Sequence, residues 1–425
     1  MNHVSAAVLV RGLCIDLCGK PLAVVCEEAD GETAPDAAMK FEIGPGESDE
    51  GAAAVIRKAY GDWKKNIVSG GTDAAGENAG AVLLPACAAL CVNEKQAARY
   101  WIDTDIDSAR KRRSERNAAP VKAGAGSGAG SGAVKSGAAE FGAAINPEER
   151  AAVVKNRIAL VTGGAQGIGE EIVRNLAGAG AFVYIADMNL EGAAKLASEI
   201  NAAEKRTAAH AIAVNVCDEA SVEAMFGKTA EVSGGIDLCV SNAGVLKAGS
   251  VLEQELADFK FVTDINYTGF FVVSKYSGRL LRLQHLTAPL WKTDIVQINS
   301  KSGLEGSNKN GAYAGGKFGG LGLVASFAME LVEYNIKVNA ICPGNFLDGP
   351  LWSHPEKGLF VQYLNTGKVP GAKTVADVRA FYEAKVPMKR GCTGRDLARA
   401  LFYIIEQEYE TGQAVPVTGG QVMLH

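Results

Sequence analysis

The chain has 425 residues, 48% of them hydrophobic, and a formal net charge of −5. Interspersed charges of both signs leave no basic face for neutralising phosphates, so nucleic acid is not an expected partner. No stretch approaches the roughly 18 consecutive apolar residues of a membrane span, and the start Met-Asn-His-Val-Ser lacks a basic region followed by an apolar secretory core.

Nine cysteines in such a chain point to free thiols in a reducing cytoplasm. Cys14 and Cys18, like Cys87 and Cys91, are spaced i, i+4, but the five histidines (His3, His210, His285, His354, His425) are scattered. No metal site is therefore expected.

From the beginning of the chain, residues 1–120 give mixed signals of a small α/β region. Apolar runs at 8–10, 22–25 and 81–84 read as short strands, and 52–65 and 94–101 as helices. The basic run Arg110-Lys-Arg-Arg113, with Arg116, reads as a solvated helix end or linker edge. The stretch AGAGSGAGSGAVKSGAAEFGAA, residues 123–144, cannot bury enough apolar surface to offset its ordering entropy. Residues 121–146 are thus expected to be a linker, and 147–425 a second domain.

In that domain short apolar runs alternate with helical segments, at 158–161, 182–185, 211–214, 236–240, 295–298, 338–341 and 414–417. Strands apolar on both faces and separated by helices imply a parallel sheet covered on both sides, a doubly wound Rossmann α/β fold. The first strand runs into Thr162-Gly-Gly-Ala-Gln-Gly-Ile-Gly169, followed by a helix. A glycine-rich turn there lets backbone approach a pyrophosphate at the helix N-terminus, making Gly163, Gln166, Gly167, Ile168 and Gly169 candidate cofactor residues. The second strand ends at Asp187. A carboxylate there accepts from ribose hydroxyls and repels a 2′-phosphate, so NAD is expected rather than NADP.

Tyr313 and Lys317 are four apart at the start of a segment that reads as helical through residue 333, on one helical face. A phenol titrates near about 10, and a neighbouring ammonium favours its ionised form, letting it exchange a proton with an alcohol or carbonyl. Ser300, at the end of the strand 295–298, is placed to hydrogen-bond the reacting oxygen, with Ser302 as a local competitor. Asn266 is a polar residue in an otherwise apolar helical stretch.

Residues 155–425 resemble a short-chain dehydrogenase/reductase. The turn 162–169, Asn242-Ala-Gly244, Asn266, Ser300, Tyr313, Lys317 and Pro343-Gly344 fall in that family's order. The resemblance implies that Asn242, Ala243 and Gly244 shape the adenine side of the pocket. It implies that Asn266 holds a water in a proton relay reaching Tyr313 through Lys317, and that Pro343, Gly344 and Asn345 line the nicotinamide. Two departures stand out: Asn215, followed by Val216, replaces an acidic residue after the third strand, and Asn345-Phe-Leu-Asp348 replaces a segment that often carries a threonine.

Ile298-Asn-Ser-Lys-Ser-Gly303, Lys385-Val-Pro-Met-Lys-Arg-Gly-Cys392 and Val417-Thr-Gly-Gly-Gln-Val-Met423 are less general and resemble a branch of the family acting on a hexitol phosphate. Such a substrate needs a cation; Lys301 is nearest in sequence, with Lys309, Lys389 and Arg390 as others. Residues 346–386, with Trp352, Phe360 and Tyr363, read as a substrate lid. Dehydrogenation of another polyol or a ketone, or a non-catalytic NAD sensor, are the rival readings. A homotetramer is implied by the family alone. Residues 80–98 faintly resemble the end of a class II aldolase-like domain, but residues 1–120 have only His3 where a zinc-dependent aldolase needs several histidines.

Overall fold

The computed structural model describes residues 3–18, 23–29, 39–42, 48–70, 87–93, 96–103, 152–356, 358–365, 367 and 369–424. The linker expected over 121–146, the basic run from Arg110 and the strand expected at 81–84 lie outside the described residues. The chain forms two compact units. The first comprises residues 1–149 with 227–235 and 282–291; the second holds the rest.

The first unit contains α1 (His3–Cys18), β1 (Ala23–Ala29), β2 (Met39–Glu42), α2 (Asp49–Gly70), β3 (Cys87–Asn93) and β4 (Gln96–Asp103). Its sheet runs β1-β4-β3-β2, mostly antiparallel, with β2 and β3 parallel. The helix expected at 52–65 lies within α2, and β1 covers most of the strand expected at 22–25. Two expectations are corrected. The apolar run at 8–10 belongs to α1, whose Ala7, Val8, Leu9, Val10, Leu13 and Ile15 are all buried; a helix buried all round shows the same unbroken apolar run as a buried strand. Of the helix expected at 94–101, residues 96–101 lie instead in β4, which pairs with both β1 and β3, and that pairing outweighs its alanine-rich start. Within this unit Thr287 Oγ1 donates to the Leu9 carbonyl (2.8 Å) and the buried Arg11 donates to Gln284 (2.5 Å).

The second unit is a seven-stranded, all-parallel sheet in the order β11-β10-β9-β8-β5-β6-β7. Its strands are β5 (Ile158–Thr162), β6 (Phe182–Asp187), β7 (Ala209–Ala213), β8 (Leu238–Ser241), β9 (Thr293–Ile298), β10 (Ile336–Pro343) and β11 (Ala414–Val417). The helices between them in the chain are α3 (Gly167–Gly178), α4 (Leu190–Glu204), α5 (Glu219–Ser233), α6 (Leu256–Thr263), α7 (Gly269–His285) and α8 (Gly311–Leu331), of which α5 from 227 and α7 from 282 count with the first unit. Short helices α9 (Pro350–Ser353), α10 (Leu359–Asn365) and α11 (Val375–Ala384) precede α12 (Gly394–Glu406).

Every residue of β5, β8, β9 and β10 is buried, whereas the edge strands β7 and β11 are only partly covered. That gradient follows from helices on both faces of the centre. The chain reverses direction across the sheet between β5 and β8, which opens a crevice at the carboxyl ends of those strands. No helix among the described residues is long and apolar enough to cross a membrane.

At the amino ends of β9 and β10, Lys337 and Asp294 form a buried ion pair at 3.0 Å. The same ammonium donates to the carbonyls of Ile404 and Gln407 (2.8 Å) at the end of α12. Removing one partner strands a charge in the interior, which costs far more than the pair contributes. Lys337→Met is therefore expected to lower unfolding free energy by ~3 kcal/mol in urea denaturation. Adding Asp294→Asn to that variant should recover much of the loss; equal loss in single and double variants would refute the ion-pair account.

Candidate active site

The crevice is built from the carboxyl ends of the central strands. β5 ends in Thr162, whose hydroxyl accepts from the backbone N–H of Asn242 (3.1 Å) and of Ala243 (3.2 Å). The Asn242 carboxamide returns two bonds, to the carbonyls of Thr162 (3.0 Å) and Gly163 (2.9 Å). The two strand ends are thereby stapled too closely for side chains: a Cβ on Gly169 would lie 2.1 Å from the Gly163 carbonyl oxygen and 2.6 Å from Asn242 Nδ2. Gly163 itself has φ +61°, a left-handed conformation that favours glycine.

Gln166 stands before α3 in extended conformation and does not cap it with its side chain. The first N–H groups of α3 therefore face the crevice without a side-chain acceptor, which suits a pyrophosphate. Ile168 packs against the hydrophobic core behind. Asp187, at the end of β6, accepts from Ala165 N (3.0 Å) and Asn189 N (2.9 Å), so its carboxylate is oriented beside the glycine turn. Asn215 closes a local turn by accepting from Cys217 N (3.1 Å), and Val216 is buried against Gly269.

Asn266 sits in a π-helical turn, Asp264–Thr268, between α6 and α7. Such a bulge in a helix recurs at functional sites because it re-aims one side chain. Here the buried Asn266 carboxamide accepts from Val245 N (2.8 Å) and donates to Val245 O (2.9 Å), fastening the segment that begins at Asn242. Its side chain thus holds backbone. A Cβ on Gly244 would lie 3.3 Å from Asn266 Oδ1 and 3.8 Å from Lys317 Nζ, so these three positions meet.

Lys317 is buried (4% exposed), and its ammonium donates to the Ile298 carbonyl (2.8 Å) and lies 5.7 Å from the centre of the Tyr313 ring. Burial holds its pKa down to about 8. Burial also pushes the Tyr313 phenol up, partly opposed by a hydrogen bond with Ser300. Where a neighbouring ammonium was expected to favour the ionised phenol, burial is the largest influence on it in the cofactor-free protein and disfavours that form. Ser300 Oγ also accepts from Ser302 N (3.1 Å), so Ser302 contributes its backbone while its side chain is buried.

The sequence did not single out Asn299. This buried residue donates to the Lys317 carbonyl (2.9 Å) and accepts from Ser300 N (2.8 Å), tying the turn to the helix that carries the lysine. A Cβ on Gly303 would lie 2.1 Å from its Oδ1, which explains the glycine that ends the stretch. The only sequence signal was a polar residue directly after an apolar strand. Cys342, buried at the end of β10, is also close, and desolvation pushes its thiol up to about 11.

Of the four cations considered for a phosphate, Arg390 is held bidentately by Asp396 (2.5 and 3.0 Å) and Lys389 donates to the Ala384 carbonyl (2.8 Å). The ammonium groups of Lys301 and Lys309 have no partner among the described residues. The segment expected as a lid carries α9, α10 and α11 around an aromatic cluster, with Trp352 and Tyr382 ring centres 4.9 Å apart. Arg379 of α11 pairs with Asp348 at 2.7 Å, and Pro350 Cδ lies 3.4 Å from the place of a Cβ on Gly167, against the glycine turn.

The short chain dehydrogenase family model matches residues 157–354. A sorbitol-6-phosphate 2-dehydrogenase of Escherichia coli (strain K12) is 36% identical over 271 residues, covering 63% of this chain and 99% of that protein. The chain belongs to the short-chain dehydrogenase/reductase family. A solved sorbitol-6-phosphate 2-dehydrogenase from Erwinia amylovora superposes with a TM-score of 0.57 at 38% identity, over 63% of this chain and 100% of that one. The meso-2,3-butanediol dehydrogenase of Serratia marcescens is 29% identical, over 57% of this chain and 96% of that protein. As a short-chain dehydrogenase/reductase the protein is an oxidoreductase that uses a nicotinamide dinucleotide, and the crevice fits one: close-approach glycines, an uncapped helix start and a carboxylate at the end of β6.

The buried Lys317 gives this dehydrogenase a stability signature. Its folded pKa, about 8, lies below the ordinary lysine value of 10.5 that the unfolded chain keeps, so between those values the unfolded chain binds more protons and wild-type stability rises with pH. Lys317→Met lacks this dependence. Its stability relative to wild type is expected to be greatest near pH 7 and to fall by at most ~3 kcal/mol as pH rises through that window. Thermal denaturation of both proteins across this range checks it; parallel curves would refute a buried, ionised Lys317.

Proposed function

We propose that the protein oxidises sorbitol 6-phosphate at C2 to fructose 6-phosphate with NAD, as a cytoplasmic homotetramer. The observation that carries the reading is the convergence of Ser300, Tyr313 and Lys317 at the crevice, together with likeness to a sorbitol-6-phosphate 2-dehydrogenase over nearly its whole length. In this reading residues 147–425 form the dehydrogenase, 121–146 a linker, and 1–120 a separate N-terminal region.

NAD, when bound, supplies the acceptor for the hydride that leaves C2. The chain's own residues handle the proton. The Tyr313 phenolate takes it from the C2 hydroxyl, while Ser300 Oγ donates to the same oxygen and holds the alcohol in line. The Lys317 ammonium favours the phenolate electrostatically. Asn266 acts as a positioning residue by holding Val245. Gly163, Gln166, Gly167, Ile168 and Gly169 cradle the pyrophosphate. Asn215, Val216, Asn242, Ala243 and Gly244 border the adenosine side, and Pro343, Gly344 and Asn345 back the nicotinamide. Lys301, with a free ammonium next to Ser300, binds the substrate phosphate.

An NADH absorbance assay with sorbitol 6-phosphate, sorbitol, mannitol 1-phosphate and fructose 6-phosphate tests this. Turnover of sorbitol 6-phosphate and fructose 6-phosphate is expected. Turnover of unphosphorylated polyol alone would overturn the substrate, and NADH binding without any turnover would overturn catalysis. Two substitutions sharpen the reading. Lys301→Ala should raise KM for the phosphorylated sugar about tenfold or more with KM for NAD little changed; equal effects would remove Lys301 from the phosphate site. Asp187→Ala should raise KM for NAD about tenfold and open the site to NADP, and unchanged discrimination in steady-state kinetics would remove Asp187 from the ribose site.

A further inference from the structure

Two stretches that set the sequence apart, 385–392 and 417–423, have no part in the chemistry above. In the fold they converge on one place, the turn Pro343-Gly344-Asn345 at the end of β10. Gly344 N donates to the Val417 carbonyl (2.9 Å), and Cys392 N donates to the Asn345 carbonyl (2.8 Å). Asn345 N donates to Gln421 Oε1 (3.1 Å). Contact is close enough that a Cβ on Gly344 would lie 2.6 Å from Gln421 Oε1 and 2.9 Å from the Thr418 carbonyl oxygen.

The two stretches also brace each other. Gly419 (φ +62°) and Gly420 (φ +84°) turn the chain back so that Gln421 N reaches the Thr418 carbonyl (3.2 Å). Met388 N donates to the Gly419 carbonyl (3.2 Å), and a Cβ on either glycine would lie 3.0 Å from Val386 or Pro387. Thr418 Oγ1 closes the turn on the Val422 carbonyl (3.1 Å). In these bonds to the 343–345 turn the other partners are backbone groups, and Gln421 alone acts through its side chain.

We infer that Gln421 is a positioning residue for the cofactor, holding the Asn345 backbone so that the Asn345 carboxamide faces the nicotinamide amide. The inference rests on the reading of 343–345 as the nicotinamide wall. The Asn345 side chain is half-buried and has no partner among the described residues. An amide in that state has both a donor and an acceptor to offer, complementary to the carboxamide of a nicotinamide ring. The aim of Asn345 depends on a side chain some 76 positions away in sequence.

The test compares full-length wild type with Gln421→Leu, which keeps volume but removes the acceptor, and Gln421→Glu, which keeps an oxygen able to accept from Asn345 N. NADH binding by fluorescence titration, KM for NAD, KM for the sugar phosphate and thermal midpoint are measured for each. The Leu variant is expected to bind NADH about five- to tenfold more weakly and to raise KM for NAD to match. Its KM for the sugar phosphate and its thermal midpoint should change little, and the Glu variant should stay within about twofold of wild type. Wild-type NADH affinity in the Leu variant overturns the inference, as does an equal loss in both variants accompanied by a lowered thermal midpoint, which would make the contact purely structural. Wild-type protein that binds no dinucleotide overturns the nicotinamide reading, and the inference with it.

Discussion

The site depends on a staple between two parallel strand ends. Where the sheet reverses, β5 and β8 must stay joined while the crevice between their ends stays open. Thr162 and Asn242 meet both demands with four hydrogen bonds that cross from one strand end to the other. The bonds draw the backbones so close that Gly163 and Gly169 have no room for a side chain. An N–H-rich turn with bare backbone is what remains, and it is the form a pyrophosphate needs.

From that staple the organisation passes by contact to the chemistry. Asn242 leads to Gly244 and Val245; Val245 is fastened by Asn266; Asn266 borders Gly244 and Lys317. Lys317 is tied to β9 through the Ile298 carbonyl, and its own carbonyl to Asn299, which also sets Ser300. Every link uses a buried or half-buried polar group, and each is bonded because an unpaired one would be costly in a dry interior. The arrangement keeps an ammonium with a depressed pKa beside a phenol with a raised one. Burial disfavours both charged forms, so the site of the cofactor-free dehydrogenase rests with its phenol protonated.

Much of this was legible in the chain. The strands of the second unit appear as apolar runs because both faces of the sheet are covered, and the bounds of β6, β7, β8, β9 and β10 shift by up to two residues, as edges of elements do. The glycine turn, Asp187, Ser300, Tyr313 and Lys317 were visible as residue types at fixed offsets from strands and helices. The first unit was less legible. The buried α1 and the alanine-rich β4 each imitate the other kind of element, since burial and strand pairing overrode local preference.

What the sequence determined by itself is therefore the class of fold and a short set of candidate reacting groups, because periodicity and short-range spacing survive without a third dimension. What only the tertiary structure decided is how those groups are held. Asn299 bonding the lysine helix, Asn266 closing on Val245, Arg390 drawn away to Asp396 and Gln421 reaching the 343–345 turn are contacts between segments distant or unpatterned in sequence. They arise where strand ends converge, and a polar side chain finds its partner there only once the sheet has brought the backbones together.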